Sequence, residues 1–113
     1  MKDDRFYLIR AAEDIARIEK FTADGKTTFL ASELNQGAVL RYLQTLGEAI
    51  KRLSVSLHIR YPDVAWRGIV AMRNVLVHDY LEIDLDDIWD IVELDLPVLK
   101  SQIQTMLDDQ GGP

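Results

Sequence analysis

The segment "MRNVLVHDY", Met72 to Tyr80, gathers Arg73, Asn74, His78, Asp79 and Tyr80 within eight positions of an otherwise apolar run. An arginine offers a rigid fork of donors that matches phosphate oxygens. A histidine titrates near neutrality and passes a proton in either direction. Together they supply what RNA cleavage needs without a metal. A base helps a 2′-hydroxyl attack the adjacent phosphorus, an acid helps the 5′-oxygen leave, and a cation steadies the extra charge between the two events. One such histidine per chain supplies one proton-transfer group; a symmetric dimer supplies two. The same residues also fit a plainer arrangement, with His78 at a helix C-terminus and Arg73 paired with acidic residues of the last helical segment. Spacing alone leaves both readings open.

Advancing about 100° per residue from Arg73 sorts this helix into faces. Met72, Leu76, Ile69 and Ala65 form one stripe, assigned to the core. Trp66, Val70 and Val77 lie beside Arg73, and Arg67, Asn74 and His78 group on the polar edge. Asn74 and His78 are one turn apart and share a face, whereas Arg73 and His78 stand roughly 140° apart. Val75 fits neither stripe. A helix with two partly apolar sides in a small bundle points to a partner subunit over the second side.

Four helical segments are expected to position the motif, with no strand alternation anywhere. The first covers about Asp4 to Phe21, with Phe6, Ile9, Ala12, Ile15, Ala16 and Ile18 as its apolar stripe and Asp3 or Asp4 as cap. "TADGKTTF" interrupts it, with Gly25 as the turn. The second covers Ser32 or Asn35 to His58 on Val39, Tyr42, Leu43, Leu46, Ile50, Leu53 and Leu57, and Pro62 ends it. Asp63 suits the cap of the third, Val64 to Val77 or His78. The fourth starts near Asp84 with Asp86 and Asp87 in its first turn, and Pro97 predicts a kink or break. Residues 108–113 read as a frayed tail. The short connections favour an all-α antiparallel bundle of four to five helices, one domain over 1–113.

The chain has 113 residues, no cysteine and a net charge of −6. Disulfides and thiolate metal sites are therefore excluded. The charged N-terminal stretch reads as neither signal peptide nor membrane span, and no apolar run approaches span length, so a cytoplasmic protein away from membranes is expected. Charge is unevenly spread. Residues 41–78 carry six basic groups (Arg41, Lys51, Arg52, Arg60, Arg67, Arg73) against Glu48 and Asp63, while residues 79–113 carry ten acidic groups against Lys100. An acidic total disfavours generic nucleic-acid binding, but the basic middle can hold a polyanion locally. The plainer alternative is two oppositely charged solvated faces that attract each other.

Several weaker features carry little. "GKT" at 25–27 lacks the glycine and the preceding strand of a phosphate loop. His58 reads as a cap or surface residue, and the two histidines lack the spacing of a metal site. Trp66 and Trp89 read as core or interface anchors. Asp79 suits either a helix end or a pair with Arg73 or His78.

Arg, four residues, His, one residue, Tyr resembles the signature of the HepT family, within the HEPN superfamily of minimal helical ribonucleases. "LGEAIKRLS", "YPDVAWRGIVAMRN" and "LDDIWDIVELDLPVL" resemble family segments in the family's order, so the likeness spans nearly the whole chain. It implies an all-α bundle that forms a homodimer. It implies a metal-independent endoribonuclease, the toxin of a toxin–antitoxin pair, with Arg73 and His78 catalytic across the two-fold axis and Asn74 orienting them. It implies no cofactor. It further implies an MntA-type nucleotidyltransferase antitoxin that transfers AMP to Tyr80, which adds bulk and negative charge where an RNA phosphate must sit. Arg60 and Arg67, in the basic middle, are candidate RNA contacts. A second function class uses the same residues: a non-catalytic partner that presents Tyr80 as AMP acceptor.

Overall fold

The structure, a computed structural model, describes residues 2–110. The described chain is helical with no strand: α1 (Asp4–Thr22), α2 (Lys26–Ala31), α3 (Glu33–Lys51), α4 (Val55–Arg60), α5 (Trp66–His78), α6 (Leu85–Asp90) and α7 (Leu96–Gln110). A 3₁₀ turn, Tyr80–Glu82, follows α5, and a π-helical stretch, Ile91–Asp95, joins α6 to α7. The expected all-α bundle is what forms.

Helix α3 is the central element. Against it α1 runs antiparallel: Asp14 accepts from the Thr45 hydroxyl at 2.7 Å, and Asp4, at the start of α1, accepts from Ser54 N and Oγ at 2.8 and 2.6 Å. Phe21, near the other end of α1, stacks on Tyr42. On its other side α5 packs along α3, and α7 lies against α1. Leu8, Ile15 and Ile18 meet Val39, Leu43, Leu46 and Ile50, with Leu96, Leu99, Ile103 and Met106 closing the core. Each large side chain so buried stabilises the fold by about 1.5–3 kcal/mol.

Local chemistry explains most element ends. Asp3, Ser32, Ser54 and Asp84 cap α1, α3, α4 and α6 with side-chain acceptors. Gly25, at φ +91°, starts α2, a backbone conformation other residues rarely adopt. The helix in "KTTFLA" was not expected; Phe29, buried against Trp89, holds it in place.

The structure corrects the sequence reading at six points. The second expected helix is two, because Ser54 caps α4 and bonds to Asp4, which draws the chain out of helix after Arg52. Periodicity ran through the break because Leu53 and Leu57 are both buried on either side of it. The core face of α1 is Leu8, Ala11, Ile15 and Ile18; Phe6, Ile9 and Ala16 are exposed. Asp63 caps nothing, since α5 begins at Trp66 after a turn anchored by buried Val64. The expected kink or break at Pro97 takes the form of a π stretch just ahead of it, and the chain stays helical through the proline. The π stretch ahead of it shifts the bonding so that Leu96 N donates to Ile91 O, and the wider turn accommodates the missing donor. Residues 108–110 of the expected tail are helical, with the Tyr61 hydroxyl donating to Asp109; residues 111–113 lie outside the described residues. His58 stacks on Trp66, ring centroids 4.2 Å apart, with Nε2 buried and unbonded, so it is neither cap nor surface residue.

The two charged regions do not neutralise each other. Among the described residues the ion pairs are Arg17–Asp14, Lys26–Asp86, Arg73–Glu48 and Lys100–Glu19. None joins residues 41–78 to residues 79–113.

Candidate active site

Helix α5 carries the motif and lies against α3 at one close crossing. A Cβ built on Gly47 would stand 2.5 Å from Arg73 Cβ and 3.0 Å from its Cγ. Only glycine at position 47 lets the backbone of α3 meet the stem of Arg73 there. The stem is thus packed, and the Arg73 side chain is only 20% exposed.

Its head group is held from two sides. Nη1 donates to Asn74 Oδ1 at 3.0 Å, and Nη2 donates to Glu48 Oε1 of α3 at 3.4 Å. Nε is buried without a partner. Of the five guanidinium donors, two are used and one is enclosed, which leaves two Nη hydrogens for a ligand. The contact with Glu48 is long and its carboxylate is 42% exposed, so it orients Arg73 without saturating it. The acidic partner comes from α3, not from the last helices as the plainer arrangement required.

His78 is the last residue of α5 and is exposed. Among the described residues no hydrogen bond joins Arg73 to His78, in keeping with their roughly 140° separation around one helix. Asp79 ends α5, its N–H donating to Val75 O, and it makes no ion pair among the described residues. Tyr80 opens the 3₁₀ turn and is 56% exposed. It lines a small cavity of about 170 Å³ with Leu40, Arg41, Gln44 and Leu76. Beside it Leu81 is 95% exposed, and Val75 and Val77 on α5 are also uncovered.

The expected core stripe of α5 is largely correct: Leu76 is buried and Ile69 and Met72 are half-buried, while Ala65 falls before the helix and is exposed. Arg67, exposed near the start of α5, lies about 16 Å from His78 along the helix axis. Arg60, at the end of α4, sits over the Tyr61 ring at 5.6 Å. The structure therefore joins Arg73 to Asn74 near the middle of α5, sets His78 and Tyr80 at and just past its C-terminal end, and leaves Arg60 and Arg67 towards the other end. Sequence reasoning missed Gly47 and Glu48. Two signals pointed to them: a glycine inside a strongly periodic helix, and the one acid within residues 41–60.

Among the described residues no helix is long and apolar enough to cross a membrane, and no three His, Asp or Glu side chains come together as a metal ion would require. Comparison with known proteins is direct. The family model "Ribonuclease HepT-like" matches residues 11–106. A Methanocaldococcus jannaschii protein named as a putative RNase is 36% identical over 112 residues, covering 98% of this chain and 93% of that relative. "Probable ribonuclease HepT" of Thermococcus cleftensis is 35% identical over 101 residues, 88% of this chain and 92% of that relative. A third relative, also from Methanocaldococcus jannaschii, is named as a gamma-glutamylcyclotransferase and putative RNase. It is 34% identical over 109 residues, and the chain spans about half its length, 49%. No solved structure matches. The chain belongs to the HepT-like ribonuclease family.

Proposed function

We propose that this HepT-like ribonuclease cuts RNA as a homodimer without a metal, on Arg73 and His78, and acts in the cytoplasm as the toxin of a toxin–antitoxin pair. The observation that carries the reading is the Arg73 head group, fixed by Asn74 and Glu48 on the helix whose last residue is His78. In the reaction, one His78 imidazole takes the proton of a 2′-hydroxyl as that oxygen bonds to phosphorus. The P–O5′ bond breaks, and the imidazolium of the second copy's His78 protonates the departing oxygen. The products are a 2′,3′-cyclic phosphate and a 5′-hydroxyl. Arg73 steadies the charge on the phosphoryl oxygens meanwhile, an effect worth about 10²–10³ in rate, and Asn74 keeps its fork in plane. Arg60 and Arg67 would touch RNA farther along the strand. The uncovered Val77, beside Arg73 on α5, and Leu81 just past it favour a second copy over this part of the surface.

Silencing would act at Tyr80. Its exposed hydroxyl suits attack on the α-phosphorus of ATP held by an MntA-type nucleotidyltransferase, with pyrophosphate leaving and AMP retained on the tyrosine. The same exposure favours a second reading, in which the chain is chiefly an AMP acceptor and cuts nothing. Expression without the antitoxin separates the two. Wild type is expected to arrest growth, His78→Ala to be harmless, and Tyr80→Phe to arrest growth even with the antitoxin present. A harmless wild type, recovered without added mass, would remove the toxin reading and leave the acceptor one. Growth arrest by His78→Ala would remove the catalytic assignment.

A further inference from the structure

Beside the Arg73 crossing, α1 and α3 enclose a cleft of about 690 Å³. Five cations line it: Lys2, Arg10 and Arg17 from the α1 side, Arg41 and Arg52 from α3. Its two carboxylates are already engaged. Asp14 holds Thr45 and Arg17, and Glu48 holds Arg73. Among the described residues Lys2, Arg10, Arg41 and Arg52 have no ion-pair partner. A protein of net charge −6 thus concentrates unpaired positive charge on one concave surface.

Aromatic rings alternate with these cations. Lys2 Nζ and the Arg10 guanidinium stand over the Phe6 ring at 5.0 and 5.9 Å, and Arg17 stands over Tyr42 at 5.7 Å. Phe6 is exposed at the rim. Cations for phosphates interleaved with rings for bases are the recurring composition of surfaces that hold single strands. The cleft borders the candidate active site, since Glu48 lines it and holds Arg73.

We propose that the α1–α3 cleft binds single-stranded RNA and leads it to Arg73. This rests on the ribonuclease reading for its destination, not for the binding itself. A second copy of the chain is a poor occupant, because a two-fold axis would set five cations against five. The phosphates run along Arg10, Arg41 and Arg52, and the bases pass the apolar rim at Phe6. The acidic C-terminal third stays outside this path, which reconciles an acidic chain with a polyanionic substrate.

The test uses a fluorescent single-stranded RNA made uncleavable by 2′-O-methyl groups, so binding is read without chemistry. Arg10→Ala with Arg52→Ala is compared with Lys20→Ala with Lys51→Ala, which removes the same charge from outside the cleft. The cleft variant is expected to bind about tenfold more weakly and to lower the slope of log K against log salt by about 1.4, for two phosphate contacts on a single strand. The control pair is expected to keep the wild-type slope. Equal effects of the two pairs would overturn the cleft assignment, as would wild-type binding of polyglutamate as tight as of RNA, which would point to an acidic protein instead. Loss of cleavage of ordinary RNA by wild type, with cleft-dependent binding retained, would overturn the ribonuclease reading and leave the cleft standing.

Discussion

Replacing Gly47 by alanine puts a methyl group where the stem of Arg73 already is. The new carbon would lie 2.5 Å from Arg73 Cβ and 3.6 Å from its Cα. Carbon–carbon contact is comfortable at about 3.5–4.0 Å, so Arg73 must retreat by about 1 Å. A rotamer change does not help, because Cβ is fixed to the α5 backbone. Overpacking of this kind costs about 1–3 kcal/mol, and alanine returns about 0.5–1 kcal/mol by its better fit within α3. The net loss is near 1 kcal/mol, a fall in Tm of about 4–8 °C for a domain of this size. The effect on catalysis is larger, since a shift of about 1 Å in a phosphate-positioning group costs about 10²-fold in rate. The assay is cleavage of a fluorogenic RNA at 25 °C, with calorimetry on the same samples. Gly68→Ala is the control. Its new carbon meets only Ala65 Cβ, at 3.9 Å, so it is expected to keep activity and gain about 0.5–1 kcal/mol of stability. Wild-type cleavage by Gly47→Ala would show that the crossing does not position Arg73 for chemistry.

Three other outcomes follow from the same contacts. Glu48→Gln keeps an oxygen for Arg73 Nη2 while removing a negative charge between Arg73 and the cleft; RNA affinity is expected to rise by up to about fivefold in a filter-binding series, the weight of an exposed pair, and weaker binding would contradict this. Ser54→Ala removes the α4 cap and the hydroxyl bond to Asp4; a loss of about 1–2 kcal/mol in urea unfolding is expected, and an unchanged midpoint would contradict it. The bond to Asp109 raises the Tyr61 pKa above its ordinary value. The protonated phenol is the stabilised form, so this small contribution is complete below about pH 10 and fades as pH rises through the folded-state value. Ultraviolet titration should therefore show a tyrosine that ionises above its ordinary range in wild type and is lost in Tyr61→Phe; an unchanged titration curve above about pH 10 would contradict this.

Much of this fold was legible because apolar periodicity and capping chemistry agree. Asp3, Ser32 and Asp84 mark starts that the structure keeps, and Leu46, Ile50, Leu76 and Ile103 are buried as their spacing requires. The break after Arg52 was not legible, because its cause is Asp4, fifty residues away. The face of α1 was misjudged because Phe6 and Ile9 are as apolar as Leu8 and Ile15, and only the docking of α3 decides between the stripes. Within the proposed site, spacing singled out positions 73, 74, 78 and 80 but left two readings open, and their roles came from the family resemblance. The partner of Arg73 was not read, because Glu48, though the one acid within residues 41–60, meets Arg73 only through the packing of α5 on α3. The charge asymmetry was visible, but the cleft also draws on Lys2, Arg10 and Arg17 from outside the basic middle, and only the pairing of α1 with α3 brings the two sets together.

The measurement closest to the central claim is RNA cleavage in EDTA by protein whose intact mass equals the unmodified chain, with Arg73→Ala beside it. Wild type is expected to leave 2′,3′-cyclic phosphate ends, and Arg73→Ala to cut about 10²–10³ times more slowly. Equal cleavage by the two proteins, or none by unmodified wild type, would contradict a nuclease built on Arg73 and His78.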